Sequence, residues 1–323
     1  MSRIAVTGAD GFLGRATVAA LGRAGHGVVR ISRAPDGSAD SRGADLRDPA
    51  ALEGLLDGVD VVIHLAAAKA GSFHDQYPST VRATQNLLVE ASRAGVRRVV
   101  LASSFAVYDY LAIPAGSVVD EDSPIDIEGV DRDAYTQTKV LQERVARDWA
   151  RSNDGDLVVA RPGVVVGPGK WWTYRLGEQF GALWLALGSH AEVPLTYVDN
   201  CADALVHLAA AYGVAGETYN IFDEAPQQAW YRRQVVARAS ERSWRVVVPW
   251  HVADTATRVV SGWNSRRDTP LRLPGFLTPA SLAVRAKPLR YTNAKLRRTG
   301  WQPALTLAES LDRVFAVQSA AAR

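Results

Sequence analysis

A tyrosine and a lysine four residues apart, Tyr135 and Lys139, have side chains that could transfer a proton. Four residues is slightly more than one helical turn, so both side chains would lie on the same face of a helix. A phenol has an unperturbed pKa of about 10, and it needs a positive charge nearby to exchange a proton near neutrality. Lys139 would supply that charge, so Tyr135 is the candidate acid–base group.

A serine at the end of a predicted strand could hold the oxygen on which Tyr135 acts. Ser104 directly follows an apolar run at residues 97–103. The carboxyl ends of parallel strands border the crevice in which α/β proteins bind ligands. A hydroxyl at this position could donate a hydrogen bond to a substrate oxygen. We therefore predict Ser104, Tyr135 and Lys139 as the catalytic residues, with Ser104 also in contact with the substrate.

Three glycines between the first predicted strand and the first predicted helix form a loop suited to phosphate. Gly8, Gly11 and Gly14 have the spacing GxxGxxG. Gly8 would permit a tight turn, Gly11 would let the backbone approach a pyrophosphate, and Gly14 would let the helix pack closely on the strand. The free N–H groups at the start of the helix would face the anion. This loop, with Phe12 and Leu13, predicts a bound dinucleotide.

The end of the second predicted strand favours NADP over NAD. An acidic residue there would accept a hydrogen bond from the ribose 2′-hydroxyl, but the chain has Arg33. Arg33 could pair with a 2′-phosphate, and Arg15 would lie near the same place. NAD is the alternative cofactor, in which case Arg33 would face solvent.

Alternating strands and helices would position these residues. Continuous apolar runs are typical of strands covered by helices on both faces, and here they alternate with helical patterns. The predicted strands are residues 3–7, 27–32, 59–65, 97–103, 157–161, 194–198 and 217–222. The predicted helices are residues 13–24, 80–94, 133–151 and 201–211, and the stretch with Trp171, Trp172 and Trp184 is also predicted to be helical. The fold class is therefore α/β, a Rossmann-type doubly wound parallel sheet with a smaller C-terminal substrate-binding domain.

The charge of the chain is divided unevenly along its 323 residues. Residues 1–223 hold 20 Lys and Arg against 28 Asp and Glu, whereas residues 224–323 hold 17 against 6. We predict a nucleotide-binding domain at residues 1–167 plus 196–223. Residues 168–195 plus 224–323 would form the smaller domain and a terminal helix. Its basic character could serve an anionic substrate.

Together, these motifs resemble the extended short-chain dehydrogenase/reductase superfamily, specifically its NAD-dependent epimerase/dehydratase group. The glycine loop, Ser104 and the Tyr135-x-x-x-Lys139 pair occur in the order and spacing of that family. The resemblance covers nearly the whole chain. Further matching segments are residues 45–46, 64–67, 103–108, 161–169, 197–200 and 219–221.

The resemblance implies where the cofactor would bind. Residues 45–46 would contact adenine, residues 65–67 would line the cofactor, residues 162–165 would flank the nicotinamide, and Lys139 would hold the ribose hydroxyls of the nicotinamide. The implied contacts are Asp45, Leu46, Leu65, Ala66, Ala67, Ser103, Tyr135, Lys139, Pro162, Gly163, Val164 and Val165. His64 is expected to be a satisfied core residue. Asp109 departs from the family, which often has glycine after the Val-Tyr pair.

Several segments distinguish possible substrates. The run at residues 161–163 lacks the asparagine that often follows the fifth strand in sugar-nucleotide epimerases. Residues 197–200 and Asp223 look more like the branch related to 3β-hydroxysteroid dehydrogenases. Among the arginines near the C-terminus, we favour Arg290 as the contact for a substrate phosphate or carboxylate.

We therefore expect an NADP-preferring oxidoreductase that moves hydride between the nicotinamide and a secondary alcohol or its ketone. The alternatives are a nucleotide-sugar epimerase or dehydratase and a non-catalytic NADP-sensing protein. The single cysteine, Cys201, and the lack of a long apolar run or a charged leader indicate a cytoplasmic protein without a membrane span. We expect a small-molecule substrate, a homodimer, no metal site and no nucleic-acid partner.

Overall fold

The computed structural model describes residues 1–126, 132–239, 244–264 and 274–321. Its strands are β1 (Arg3–Thr7), β2 (Gly27–Ser32), β3 (Ser41–Gly43), β4 (Val61–His64), β5 (Arg98–Ala102), β6 (Val118–Val119), β7 (Asp156–Pro162), β8 (Val164–Val166), β9 (Glu178–Phe180), β10 (Leu183–Leu187), β11 (Leu195–Tyr197), β12 (Thr218–Ile221), β13 (Trp244–Val248) and β14 (Arg290–Tyr291). Its α-helices are α1 (Phe12–Arg23), α2 (Phe73–Tyr77), α3 (Ala83–Arg93), α4 (Ala134–Asn153), α5 (Val198–Ala210), α6 (Gln228–Ala239), α7 (Trp250–Asn264), α8 (Pro279–Ala286), α9 (Ala294–Arg298) and α10 (Leu307–Ala321).

Seven of the described strands form one parallel sheet in the order β12-β7-β5-β4-β1-β2-β3. The chain builds outward from β1 to β3 and then returns to place β4 on the other side of β1. The loops leaving β1 and β4 therefore run in opposite directions and open a crevice at the carboxyl ends of these strands. This arrangement confirms the predicted doubly wound parallel sheet.

Helices cover both faces of the sheet, which explains why its strands have continuous apolar runs. Ile4 and Val6 pack with α1 and α5 on one face. Ala5, between them, packs with α3 and α4 on the other face. Successive side chains of a strand point to opposite faces, so both sets of positions must be apolar.

The predicted strands of this sheet agree with the observed ones within two residues, and those at 3–7 and 27–32 coincide with β1 and β2. The three-residue strand β3 was not predicted, because so short an edge strand has no apolar run. Helices α1, α3, α4 and α5 lie where helical patterns were predicted, with ends shifted by up to three residues.

The helix predicted around Trp171, Trp172 and Trp184 is wrong. This stretch forms a short 3₁₀ turn followed by the hairpin of β9 and β10. Gly177 has a φ of 125°, and a Cβ at this position would lie 2.2 Å from the carbonyl oxygen of Leu185. A helix could not accommodate that backbone conformation. The tryptophans instead pack together, and Trp184 is buried with its indole N–H donating to Leu176.

A smaller structural region is built from the remaining elements. Strands β13, β10 and β9 form a three-stranded sheet, while β8 pairs with β11 and β6 pairs with β14. The β6–β14 pair joins a segment of the first predicted domain to a segment of the second. The predicted domain boundaries stay a prediction. No helix within the described ranges combines the length and apolar character needed to cross a lipid bilayer.

Candidate active site

A cleft of about 700 Å³ lies at the carboxyl ends of β1 and β4, where the chain reverses its order in the sheet. Most of the predicted site residues line it together. They are Gly8, Gly11, Phe12, Leu13, Gly14, Arg33, Asp45, Leu46, Leu65, Ala66, Ala67, Ser103, Ser104, Tyr135, Lys139, Pro162, Gly163 and Val165. Val164 and Arg290 are outside this lining.

The glycine loop brings bare backbone to the wall of the cleft at Gly8, Gly11 and Gly14. Gly8 has a φ of +67°, and a Cβ on it would lie 3.1 Å from Ala66. A Cβ on Gly14 would lie 2.1 Å from the carbonyl oxygen of Gly8 and 2.7 Å from that of Ala9. Position 14 therefore requires glycine, because any side chain there would clash with the backbone of the loop. The bare backbone at the start of α1 fits a dinucleotide pyrophosphate.

Exposed charges surround the end of the cleft near β2 and β3, which we call the outer end and define by Arg33, Asp45 and Arg47. Arg33 is exposed. The guanidinium of Arg47 binds both carboxylate oxygens of Asp45, and together with the weaker charge of Arg33 it lowers the pKa of Asp45 to about 2. Sequence analysis missed Arg47, although it directly follows the Asp45-Leu46 motif.

One lysine that lines the cleft, Lys69, and one that contacts its lining, Lys170, were also missed. Lys69 lines the cleft, and its pKa is lowered by burial and by the neighbouring charge of Lys170. The Lys170 ammonium lies 4.4 Å from the centre of the Phe12 ring. Their position indicates attraction for an anionic ligand. The only available signal was that Lys69 follows the 64–67 motif by two residues.

The three predicted catalytic residues meet at the other end of the cleft, which we call the inner end and define by Ser104, Tyr135 and Lys139. Helix α4 begins beside it because the Asp133 carboxylate caps its first turn, accepting from the backbone N–H of Thr136 at 3.0 Å. The Ser104 hydroxyl accepts from the backbone N–H of Ala106 at 3.1 Å and interacts with the Tyr135 phenol. Burial raises the pKa of Tyr135, and the bond with Ser104 opposes this effect.

The Lys139 ammonium is held by neutral groups at the floor of the inner end. It is 3% exposed and donates to the carbonyl of Ala102 and to the side-chain oxygen of Gln142, both at 2.8 Å. Burial lowers the pKa of Lys139 to about 7, and the charge of Lys69 adds to this, while Glu143 opposes it. Because both hydrogen-bond partners are neutral, they do not cancel the positive charge of Lys139, which can act on groups bound in the cleft.

A buried ion pair supports the inner end from behind. Arg161 donates to both carboxylate oxygens of Glu143, at 2.9 and 2.8 Å, and both side chains are buried. Burial would raise the pKa of Glu143, but its bonds with Arg161 prevail and lower it. The Ser103 hydroxyl also donates to Glu143. Ser103 thus borders the cleft while its hydroxyl bonds to the carboxylate behind it.

His64 is confirmed as a satisfied core residue. Its imidazole is 1% exposed and lies between the hydroxyls of Thr7 and Thr84, at 2.6 and 2.8 Å. Burial lowers the pKa of His64 to about 3, and the nearby charge of Lys139 contributes. The ring is therefore neutral at physiological pH.

The basic C-terminal region does not contribute cations to the cleft in the described part of the chain. Arg290 is exposed on β14, and its backbone N–H donates to Ser117. Arg232 and Arg297 donate to backbone carbonyls of Gly188 and Asp223. The cations that line the cleft are Arg33, Arg47, Lys69 and Lys139. The cleft therefore takes its positive charge from residues 1–223, the part of the chain that carries a net negative charge.

Comparisons with known proteins agree with this arrangement. Residues 4–221 match the model of the NAD dependent epimerase/dehydratase family. A 2-alkyl-3-oxoalkanoate reductase of Stenotrophomonas maltophilia is 32% identical over 69% of this chain and 71% of its own length. A 3 beta-hydroxysteroid dehydrogenase/Delta 5-->4-isomerase of Mycobacterium tuberculosis is 29% identical over 96% of this chain and 89% of its own.

A solved structure has the same fold. MoeE5 in complex with UDP-glucose and NAD superposes with a TM-score of 0.72, covering 99% of this chain and 100% of that one at 22% identity. The family match spans the sheet, the glycine loop and the three residues of the inner end. The chain therefore belongs to the NAD-dependent epimerase/dehydratase family, whose members are enzymes of the extended short-chain dehydrogenase/reductase superfamily.

Proposed function

We propose that this protein is an oxidoreductase that interconverts a secondary alcohol and its ketone, with NADP as the preferred cofactor. The observation that carries this proposal is the meeting of Ser104, Tyr135 and Lys139 at the inner end. The names of the two relatives, a 3-oxoalkanoate reductase and a 3β-hydroxysteroid dehydrogenase, favour a ketone or a secondary alcohol as substrate.

Each residue of the inner end has a distinct task. Ser104 donates a hydrogen bond to the substrate oxygen and holds it beside the phenol. Tyr135 gives its proton to that oxygen during reduction and takes it back during oxidation. The raised pKa of Tyr135 keeps the phenol protonated, which suits the acid of the reduction direction. The positive charge of Lys139 favours the phenolate and so eases the release of the proton.

The cofactor would lie along the cleft. The glycine loop would hold its pyrophosphate, and Lys139 would hold the hydroxyls of the nicotinamide ribose. When bound, the nicotinamide supplies or accepts the hydride.

The preference for NADP rests on the outer end. Arg33 and Arg47 both line the cleft there, and both are exposed. Two guanidinium groups can donate charge-assisted hydrogen bonds to a 2′-phosphate. Asp45 already binds Arg47, which leaves Arg33 as the cation whose charge is less neutralised.

A nucleotide-sugar epimerase or dehydratase is the second candidate, because the family model carries both activities in its description. The same residues would act in either of these reactions, but the cofactor would give the hydride back before the product is released, so it would not be consumed. Net consumption of the cofactor separates the two candidates. An oxidoreductase changes the nicotinamide absorbance in proportion to product, whereas an epimerase accumulates product with no steady change.

The decisive experiment measures turnover of wild type, Tyr135→Phe and Tyr212→Phe with 3-oxo acids, hydroxysteroids and nucleotide sugars. Loss of the proton donor should lower kcat by about 10²- to 10⁴-fold. Tyr212 is 98% exposed and serves as the matched control. Turnover in Tyr135→Phe equal to wild type would reject Tyr135 as the acid–base group. Product without net cofactor change would select the epimerase or dehydratase.

A further inference from the structure

The side chain that holds Lys139 is itself fixed by a buried partner. Gln142 lies one turn after Lys139 on α4 and is fully buried. Its amide oxygen accepts from the Lys139 ammonium, and its amide nitrogen donates to the Thr84 hydroxyl of α3, both at 2.8 Å. The amide of Gln142 therefore links the Lys139 ammonium to the Thr84 hydroxyl, and both its oxygen and its nitrogen are hydrogen-bonded.

The directions of the neighbouring hydrogen bonds follow from counting hydrogens. The Thr84 hydroxyl donates its single proton to the carbonyl of Thr80 at 2.6 Å. It must then accept from both Gln142 and the Nε2 atom of His64. The ring proton of His64 is thereby assigned to Nε2, and Nδ1 accepts from the hydroxyl of Thr7.

This chain of bonds ends at the wall of the cofactor cleft. The Thr7 oxygen accepts the backbone N–H groups of Leu65 and Ala66, both at 3.2 Å, and these two residues line the cleft. Thr7, His64, Thr84 and Gln142 are all 0–1% exposed. The hydrogen bonds thus connect the ammonium of Lys139 to the backbone beside the glycine loop. We call these five side chains the lysine network: Thr7, His64, Thr84, Lys139 and Gln142.

A glutamine suits its position better than the similar residues would. A leucine would remove one of the two protein acceptors of the Lys139 ammonium and one of the two groups that donate to the Thr84 hydroxyl. A glutamate would lose the donor to Thr84 and place a negative charge beside the ammonium. An amide also does not relay protons along a chain of hydrogen bonds. The network therefore fixes the position of the Lys139 ammonium without neutralising its positive charge.

We propose that Gln142 is a positioning residue of the active site: it aims the Lys139 ammonium at the cofactor and the Tyr135 phenol, and it keeps that ammonium free of a negative partner. The proposal rests on the role that the proposed function gives to Lys139. No property of the substrate enters it.

Other titratable and charged groups near Lys139 bear on the test. Lys69 faces it from the loop after β4, His64 from β4 and Glu143 from α4, with Arg161 of β7 bound to Glu143, and the Tyr135 phenol lines the same cleft. A carboxylate at position 142 adds one negative charge to this set. It would favour the charged form of Lys139, so the pKa of Lys139 would rise.

The test compares wild type, Gln142→Glu and Gln142→Leu, with Gln137→Glu on the same helix as the matched control. Gln137 is partly exposed and bonds to the backbone of Arg132. Turnover is measured from pH 5.5 to 9.5, NADPH affinity by titration of tryptophan fluorescence, and folded protein by urea denaturation. In Gln142→Glu, the fall of kcat/KM on the alkaline side should move upward by about 1 pH unit or more. In Gln142→Leu, kcat should fall and the Kd for NADPH should rise by about tenfold.

Two results would overturn the proposal. One is a pH profile of Gln142→Glu that matches those of wild type and Gln137→Glu. The other is a loss of activity that only follows the loss of folded protein. If wild type turns over no ketone or alcohol, the proposed function fails, and the NADPH titration across pH then decides about Gln142. An affinity and pH dependence unchanged in Gln142→Glu and Gln142→Leu would then reject its positioning role.

Discussion

At the inner end of the cleft, the Lys139 ammonium is buried. It donates to the backbone carbonyl of Ala102 and to the side chain of Gln142, and both of these residues are buried as well. At the outer end, Arg33 and Arg47 extend into solvent beside the last strands of the sheet, and the pairing of Arg47 with Asp45 is half exposed. Both ends carry positive charge. They differ in how much of their geometry is set by buried partners.

That difference indicates which task suits each end of the cleft. A buried polar group without its partner is costly, so the lysine network tolerates one arrangement of its hydrogen bonds. Such an end suits chemistry that needs atoms held in place. Exposed charges are screened by water and salt, and each contributes little. Such an end suits recognition of a phosphate, where affinity can be adjusted in small steps.

The largest effect should come from breaking the buried ion pair behind the inner end. Glu143→Gln keeps the size of the side chain but leaves the Arg161 guanidinium buried without its counter-charge. The expected loss is about 3–5 kcal/mol in the free energy of unfolding. Urea denaturation followed by circular dichroism measures it.

An exposed ion pair on the same helix supplies the matched control. Asp148 pairs with Arg151, and their side chains are 56% and 71% exposed. Asp148→Asn should cost less than about 1 kcal/mol. A loss in Glu143→Gln as small as that in Asp148→Asn would contradict the view that the inner end depends on buried partners.

Most of the site residues found from sequence follow a predicted strand or lie in the first turns of a predicted helix, whereas Asp45 and Leu46 came from the family resemblance. Gly8, Ser104 and Arg33 lie where parallel strands end, and the topology of such a sheet brings those ends together whatever the intervening chain does. The cleft could therefore be located without knowing any side-chain contact. The apolar runs placed the boundaries of the strands in the main sheet, except β3, to within two residues.

What the sequence did not reveal depends on contacts between distant residues. Gln142 and Thr84 are 58 positions apart, and no local pattern connects them. Likewise, the charge of residues 224–323 suggested Arg290 as the anion contact, but the cations that line the cleft all precede residue 140. The strands β9 and β10 were missed because Trp184 and its neighbours are apolar enough for a buried helix as well.

The second largest effect concerns the pH dependence of stability. An unfolded histidine takes up a proton below a pH of about 6.5, whereas folded His64 resists protonation down to a pKa of about 3. The unfolded state therefore binds more protons between these values, and stability is lost as the pH falls through this window. At pH 5, His64 should cost the fold about 2 kcal/mol relative to neutral pH.

The measurement compares urea denaturation of wild type and His64→Asn at several pH values from 7.5 to 4.5. The variant should be less stable at pH 7.5 because it breaks the lysine network, and its stability should fall less steeply on acidification. His74, exposed on α2, is the matched control. If His74→Asn flattens the pH dependence as much as His64→Asn does, the buried histidine is not its source.

The smallest effect should appear at the outer end, in the choice between cofactors. Arg33→Asp removes a cation from the cleft and introduces a carboxylate that repels a 2′-phosphate and can accept from a 2′-hydroxyl. The ratio of NADP to NAD affinity should fall by about tenfold, or 1.4 kcal/mol. Fluorescence titration of each cofactor gives the two Kd values.

Arg97→Asp makes the same change of charge at the amino end of β5, away from the carboxyl ends that border the cleft, where Arg97 is exposed. It should leave the affinity ratio unchanged, which separates a local contact from the net charge of the protein. A ratio of NADP to NAD affinity in Arg33→Asp equal to that of wild type at low salt would rule out Arg33 as the phosphate contact.

Raising the salt concentration should also lower the ratio of NADP to NAD affinity of wild type, because the guanidinium groups of the outer end are open to solvent. A ratio that resisted salt would instead indicate that the bound cofactor buries the outer end as deeply as the inner one.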